Sequence, residues 1–142
     1  MELLKATIDN LDDVYKLLCE LEDEVLDKSI FAEIYKDNVN NKSIHYILAI
    51  VESNVIGFGS LHIQKLLHHC SNIAEVQEII ISKNQQGSGI GTMIFDELKR
   101  IATSSGCLQL EVCCNLSRSK SHEFYLKQGM EKSHYKFTCV LN

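Results

Sequence analysis

Apolar residues recur along this chain at two periods, and the alternation between them outlines the fold. A short strand is expected over Leu3–Ile8. Leu11, Val14, Leu17, Leu18, Leu21 and Val25 then form one stripe at helical spacing. Asp9 or Asn10 is placed to cap that helix, and Asp12 and Asp13 fall in its first turn, where the helix dipole favours acids. Ser29 is placed to cap a second helix with Ile30, Ile34 and Val39 inward, and Asn38–Lys42 reads as the loop after it. The period then shortens. Ile44–Glu52 and Val55–Gln64 read as strands of a hairpin turned at Ser53-Asn54. Gly57 and Gly59 inside the second strand predict a bulge or a close backbone approach. After a His-rich loop over Lys65–Asn72, Ile73–Ser82 is a third strand, whose run Ile79-Ile80-Ile81 suits a position covered on both faces.

The second half repeats the alternation. A polar loop, Lys83–Ser88, leads to a helix over Ile90–Ser105 with Ile90, Met93, Ile94, Leu98 and Ile101 apolar and Gly106 as its stop. Leu108–Asn115 reads as a strand. Ser117–Ser121 supplies caps for a short helix through Gln128, ended by Gly129, and Tyr135–Leu141 alternates as a last strand. The order β-α-α-β-β-β-α-β-α-β predicts an α/β protein with a largely antiparallel central sheet flanked by helices, as one domain over residues 1–142.

Composition changes this picture in three ways. The chain has no proline, so glycine, asparagine and serine must mark its turns. Its net charge of −5 argues against a nucleic-acid binder, which needs a basic face for phosphates. No apolar run is long enough to span a membrane. The acid-bearing start MELLKATIDN is unlike a signal peptide, so a cytoplasmic protein is expected. Six cysteines, Cys19, Cys70, Cys107, Cys113, Cys114 and Cys139, form no CxxC pair and are expected to be reduced and mostly buried.

Chemistry concentrates in Gln86-Gly87-Ser88-Gly89-Ile90-Gly91-Thr92, which follows a strand and opens a helix. Backbone N–H groups at such a turn converge, the helix N-terminus adds about half a positive charge, and no acid follows until Asp96. The segment reads as an anion cradle, suited to a pyrophosphate. It lacks the lysine of a nucleoside-triphosphate loop. Its spacing and late position differ from a dinucleotide-binding turn.

Gln86-x-x-Gly89-x-Gly91 after an apolar strand resembles the acyl-CoA loop of the GNAT family of N-acetyltransferases. The order of strand, loop, helix, strand ending in Asn115 and helix holding Phe124-Tyr125 extends that similarity over most of the chain. Leu61-His62-Ile63-Gln64, Leu67-His68-His69, Glu75-Val76-Gln77-Glu78, Arg118, His122, Phe124-Tyr125-Leu126 and Ser133-His134-Tyr135-Lys136-Phe137-Thr138 are similar to the aminoalkylphosphonate N-acetyltransferases. Those enzymes tend to carry arginine where this chain has Gln86 and to lack a glycine at Gly89, so this cradle leans on backbone donors.

The resemblance implies an acetyl-CoA-dependent N-acetyltransferase for a small primary amine, first of all an aminoalkylphosphonate. A polyamine, aminoglycoside or protein amine is the alternative acceptor, and a non-catalytic CoA-binding module is the alternative to an enzyme. An amine with a pKa near 10 needs a base at neutral pH. Glu75 matches the family's usual base and Glu78 is the second candidate; in an unbroken strand they face opposite ways. Tyr125 matches the general acid for the CoA thiolate. Asn115 and the backbone of Ile79, Ile80 and Ile81 would hold the pantetheine arm, with Gln86, Gly87, Ser88, Gly89, Ile90, Gly91 and Thr92 on the pyrophosphate. A backbone N–H of the same strand would meet the carbonyl oxygen. His69, Arg118 and His134 are candidate substrate contacts. His62, His68 and His69 near the two glutamates admit a divalent metal, although none has the spacing of a strong zinc motif. A homodimer is the family's default.

Overall fold

A computed structural model describes all residues, 1–142. Backbone contacts divide the chain into two compact units, Met1–Glu111 and Val112–Asn142.

The first unit holds a sheet between helices. Its elements are β1 (Glu2–Lys5), α1 (Leu11–Glu22), α2 (Lys28–Val39), β2 (Ile44–Val51), β3 (Asn54–Leu66), β4 (Ser71–Ile81), α3 (Ile90–Ser104) and β5 (Cys107–Val112, whose last residue opens the second unit). The sheet order is β1-β2-β3-β4-β5, and the β1–β2, β2–β3 and β3–β4 pairs are antiparallel. This is the α/β architecture that the two hydrophobic periods predict.

The two sheet faces are packed differently. On one, Tyr46, Leu48 and Phe58 join Val14, Leu17 and Leu18 of α1 and Tyr35 of α2 in a continuous core. Aromatic rings run through it from helix to sheet: Tyr15, Phe31, Tyr35, Tyr46 and Phe58 follow one another at centroid distances of 5.2, 6.2, 5.5 and 5.2 Å. On the other face α3 lies against bare backbone. A Cβ at Gly59 would sit 2.4 Å from Ile94 Cγ2, closer than atoms tolerate, so only glycine admits the helix at this depth. The expected close approach is found here.

Several element boundaries differ from expectation for local reasons. Strand β1 stops at Lys5 because Thr7 and Asn10 cap a 3-10 turn over Ile8–Asn10, Asp9 N–H donating to Thr7 Oγ1 at 3.3 Å. Helix α1 ends at Asp23 in the left-handed region, which leaves Val25 exposed outside it. Helix α2 is capped by Asp27, whose carboxylate accepts from Ile30 N–H at 3.0 Å, and not by Ser29. Its inward residues are Phe31, Tyr35 and, as expected, Val39; Ile30 and Ile34, expected inside, are exposed. The first hairpin turns at Glu52-Ser53, both at positive φ, and the second at Leu67–Cys70, so β3 and β4 are longer than expected. Ile79–Ile81 are half-buried, Met93 of α3 is exposed, and β5 ends at Val112. All six cysteines are free but, against expectation, none is buried: Cys19, Cys107 and Cys114 are half-buried, and Cys70, Cys113 and Cys139 are exposed.

The second unit carries α4 (Ser119–Lys127), closed at Gly129 with φ +87°. Residues 130–142 form no strand. Tyr135, Phe137, Val140 and Leu141 are all largely exposed, Phe137 at 92%. The alternation that predicts a strand over Tyr135–Leu141 has no neighbouring strand to complete it.

Candidate active site

The register of β3 against β4 contains the decisive local feature. His62 faces Glu75 and Leu61 faces Val76, but Ser60 faces Glu78, so Gln77 is an extra residue and β4 is bulged there. Residues facing each other across a ladder share a sheet face. Glu75 and Glu78 therefore lie on one face with His62 and Ser60, because the bulge offsets their three-residue spacing. The expectation of opposite faces for an unbroken strand does not apply.

Glu78 is held closely. Ser60 Oγ donates a short hydrogen bond to Glu78 Oε2, and Glu78 N–H donates to Ser60 Oγ at 3.1 Å. Burial pushes the Glu78 carboxyl up from its ordinary range, the Ser60 bond and His62 pull it back, and Glu22 adds to the rise. Glu78 forms part of the wall of a cavity of about 400 Å³ between α1, α2 and the sheet. Its apolar wall includes Phe31, Tyr35, Tyr46 and Phe58; its polar groups include Glu22, Asn38, His62 and Gln77, and no lysine or arginine lines it. Asn38 Nδ2 donates to Tyr46 Oη at 2.8 Å and so fixes one rim. A smaller cavity, about 200 Å³, lies between β1, β2 and α3; its Arg100 and Glu97 are already paired at 2.6 Å, and it holds none of the candidate residues.

The cradle begins where β4 ends. A 3-10 turn over Lys83–Gln85 follows, and Gln86 Nε2 donates to Ile81 O at 3.1 Å, tying the loop to the strand. Ser88 Oγ donates to Gln85 O at 2.5 Å. Gly87 and Gly89 have φ +80° and +83°, a region that side chains strain to enter, and a Cβ at either would meet open space. Helix α3 starts at Ile90 with no side-chain cap and no acid in its first turn. Buried Ile90 anchors that turn, while residues 83–89 and Thr92 are exposed. Backbone amides at an uncapped helix start, reached across two glycines, fit a diphosphate.

In the second unit, Asn115 Oδ1 accepts from Ser117 N–H at 2.9 Å and from Ser117 Oγ at 2.8 Å, and its carbonyl meets His122 Nε2 at 2.8 Å. Arg118 stands at the N-cap of α4. Burial pushes the Tyr125 phenol up to about 12; Cys114 adds to this and Arg118 opposes it. His134 Nδ1 lies 2.6 Å from Ser133 Oγ.

The histidines do not gather. The His68 and His69 rings lie 4.2 Å apart on the hairpin turn, tilted by 44°. Four strand positions separate Ser71, at the foot of that turn, from Glu75, about 13 Å at the usual rise. The structure brings no three His, Cys, Asp or Glu side chains together that would hold a metal ion.

Residues 11–130 match the Acetyltransferase (GNAT) family. The chain belongs to this family. It is an acetyltransferase, and enzymes of the family take their acetyl group from acetyl-CoA, whose diphosphate the cradle fits. It is 36% identical over 140 residues to the aminoalkylphosphonate N-acetyltransferase of Salmonella typhimurium (strain LT2), covering 99% of this chain and 91% of that protein. It is 24% identical over 135 residues to glucosamine 6-phosphate N-acetyltransferase 1 of Dictyostelium discoideum, covering 90% and 86%. In fold it is similar to a transcriptional regulator from Bacillus halodurans C-125 (TM-score 0.90, 18% identity, 99% of each chain). An aminoglycoside acetyltransferase from an uncultured soil metagenomic sample, crystallised with sisomicin, has a TM-score of 0.84 at 14% identity over 99% and 96%.

For this acetyltransferase the sequence points to the cradle and both glutamates, but not to Ser60, Glu22, Asn38 or Tyr46. A serine in an apolar strand and a tyrosine in a β-rich run look like filler until the register places them beside Glu78.

Proposed function

We propose that this acetyltransferase transfers acetyl from acetyl-CoA to a small primary amine, with an aminoalkylphosphonate as its acceptor. The observation that carries the reading is the β4 bulge, which sets Glu78 into the wall of a cavity next to the strand end that leads into the cradle. The aminoalkylphosphonate relative supports the acceptor class.

Acetyl-CoA supplies the activated thioester. The cradle amides of Gly87–Thr92 and the α3 dipole neutralise its diphosphate, and the backbone of Ile79–Ile81 holds the arm; Asn115 is a further candidate for the arm on the family resemblance alone. Glu78 takes the proton from the ammonium, so that the nitrogen carries a free electron pair when it attacks. Its raised pKa brings the carboxylate closer to the working pH of a base. Glu75, one pair further along the same face, is the second candidate. A backbone N–H at the bulge meets the carbonyl oxygen as negative charge develops. Tyr125, protonated at working pH, gives its proton to the departing thiolate and is reprotonated by the second proton that the nitrogen loses as the amide forms. On the family resemblance, Arg118 and His134 are proposed as contacts for the acceptor's anionic group; His69, on the β3–β4 turn, lies too far along the strand from Glu78 for a small acceptor to span.

A second reading has its own observation. Glu22 and Glu78 with aromatic walls and no cation suit a polyamine or aminoglycoside. Steady-state release of CoA across aminomethyl- and aminoethylphosphonate, polyamines and aminoglycosides separates the two. The phosphonates should show the highest kcat/KM, and their failure to turn over ends the first reading. No helix is long and apolar enough to cross a membrane. We take the enzyme to be a cytoplasmic homodimer acting on a small molecule; the exposed apolar residues of Tyr135–Leu141 support self-association, and sedimentation equilibrium giving a monomer mass would refute it.

A further inference from the structure

We propose that Ser60 is a positioning residue for the base: through its hydroxyl it holds one oxygen of the Glu78 carboxylate and leaves the other to the acceptor nitrogen. This rests on the reading of Glu78 as the base.

Ser60 is the one buried polar residue of the chain, at 0% exposure, within the buried run Ile56–Leu61 of β3. A buried hydroxyl without partners is costly. Both of its hydrogen bonds go to a single residue. The hydroxyl donates to Glu78 Oε2, and the same oxygen accepts the Glu78 N–H at 3.1 Å. The base is therefore gripped by main chain and side chain at once, from the strand directly opposite. The bulge makes this geometry: with an unbroken register Ser60 would face Gln77 and not Glu78.

Ser60 also supplies the carboxylate's hydrogen bond in a setting that otherwise gives it little. The titratable groups around Glu78 are Glu22 from α1, Tyr35 from α2, Tyr46 from β2, His62 from β3 and Glu75 from β4 itself. Glu22 opposes the charged form, and no lysine or arginine lines the cavity to offset it. His62 and the Ser60 hydroxyl favour it. Removing the hydroxyl both frees the carboxylate to rotate and makes it harder to ionise.

The test is the pH profile of kcat/KM for aminoethylphosphonate, or for whichever panel amine turns over fastest. In Ser60→Ala the acid limb should move up by about one pH unit, the effect of one hydrogen bond to a charged group. Well below the limb the rate then falls about tenfold relative to wild type. Ser60→Thr, which keeps the hydroxyl, should return the limb toward its wild-type position. The acceptor's own titration is common to all variants, so a shift between them belongs to the enzyme. A carbon-13 NMR titration of the Glu78 carboxyl should rise in parallel, and it reads the same group without turnover. If Ser60→Ala does not fold, Ser60→Cys, a far weaker donor of similar size, should show the same shift. An unmoved limb in a folded variant, with Glu78→Gln inactive, overturns the role of Ser60 alone. A limb and rate retained in Glu78→Gln overturn the base assignment and, with it, this proposal.

Discussion

Tyr125 holds its proton at any pH where acetyl transfer is ordinarily measured, since burial pushes its phenol up to about 12. Replacing it with phenylalanine removes the donor and little volume. Tyr125→Phe should lower kcat about 100-fold with a small change in KM for the amine, the usual size for losing an acid–base group; an unchanged kcat removes it from the mechanism. Gly59→Ala tests packing in place of chemistry. Its methyl would press on Ile94, itself fully buried, and overpacking of this kind costs about 1–3 kcal/mol, readable as a lower urea midpoint with an unchanged slope. At this scale the sequence is informative where a residue type is rare for its setting. Glycines bracketing a helix start and acids inside a strand both stand out. Ser60 does not, because its meaning comes from a partner eighteen positions away.

Strand β4 depends on one inserted residue. Deleting Gln77 leaves Val76 and Glu78 as consecutive partners of Leu61 and Ser60, so the faces of Glu75 and Glu78 are kept and only the bulge is lost. The deletion should preserve the far-UV circular dichroism spectrum. It should reduce kcat about 100- to 1000-fold, as for removal of an oxyanion donor, if a bulge N–H serves the carbonyl; near-normal kcat would show that the bend is dispensable. Elements whose period is long and regular were legible: α1, α3 and the β2–β3–β4 meander fall close to where their apolar residues predict. In helix α2 only Val39 lies inward as its apolar spacing predicts; the rest of the inward face is aromatic, Phe31 and Tyr35, while Ile30 and Ile34 look equally suited and stay outside. The Tyr135–Leu141 alternation has the pattern of a strand, but strands need neighbours and the pattern does not name one.

For the molecule as a whole, buried Tyr35 and half-buried Tyr125 should weaken stability at alkaline pH. Tyr35 donates to Thr7 O at 2.6 Å, and it, like Tyr125, is pushed up to about 12 from 10.0. Between these values the unfolded chain has lost protons that the folded chain retains, so stability falls as pH rises through that window. Urea unfolding at pH 8 and pH 11 should show the loss, and Tyr35→Phe should make it shallower. Glu78 adds a second term of the same sign. Its folded pKa is raised, so its contribution declines as pH climbs above the unfolded value of 4.5. Glu78→Gln should therefore melt a few degrees higher than wild type at neutral pH while losing activity, the exchange of stability for function expected at a working site. The acid balance that argued against nucleic acid is compatible with the anion cradle, whose positive potential comes from amides that a charge count does not see.

The aromatic column also makes the protein its own indicator. The chain has five tyrosines and no tryptophan, and three of the five, Tyr15, Tyr35 and Tyr46, stand in the column, with Tyr35 and Tyr46 in the cavity wall. With no indole to absorb their emission, the intrinsic fluorescence of the unlabelled enzyme is tyrosine light, much of it from side chains at the proposed acceptor site. An acceptor entering there should change that light directly, and a titration followed at the tyrosine band would give its affinity without a dye, a label or a turnover.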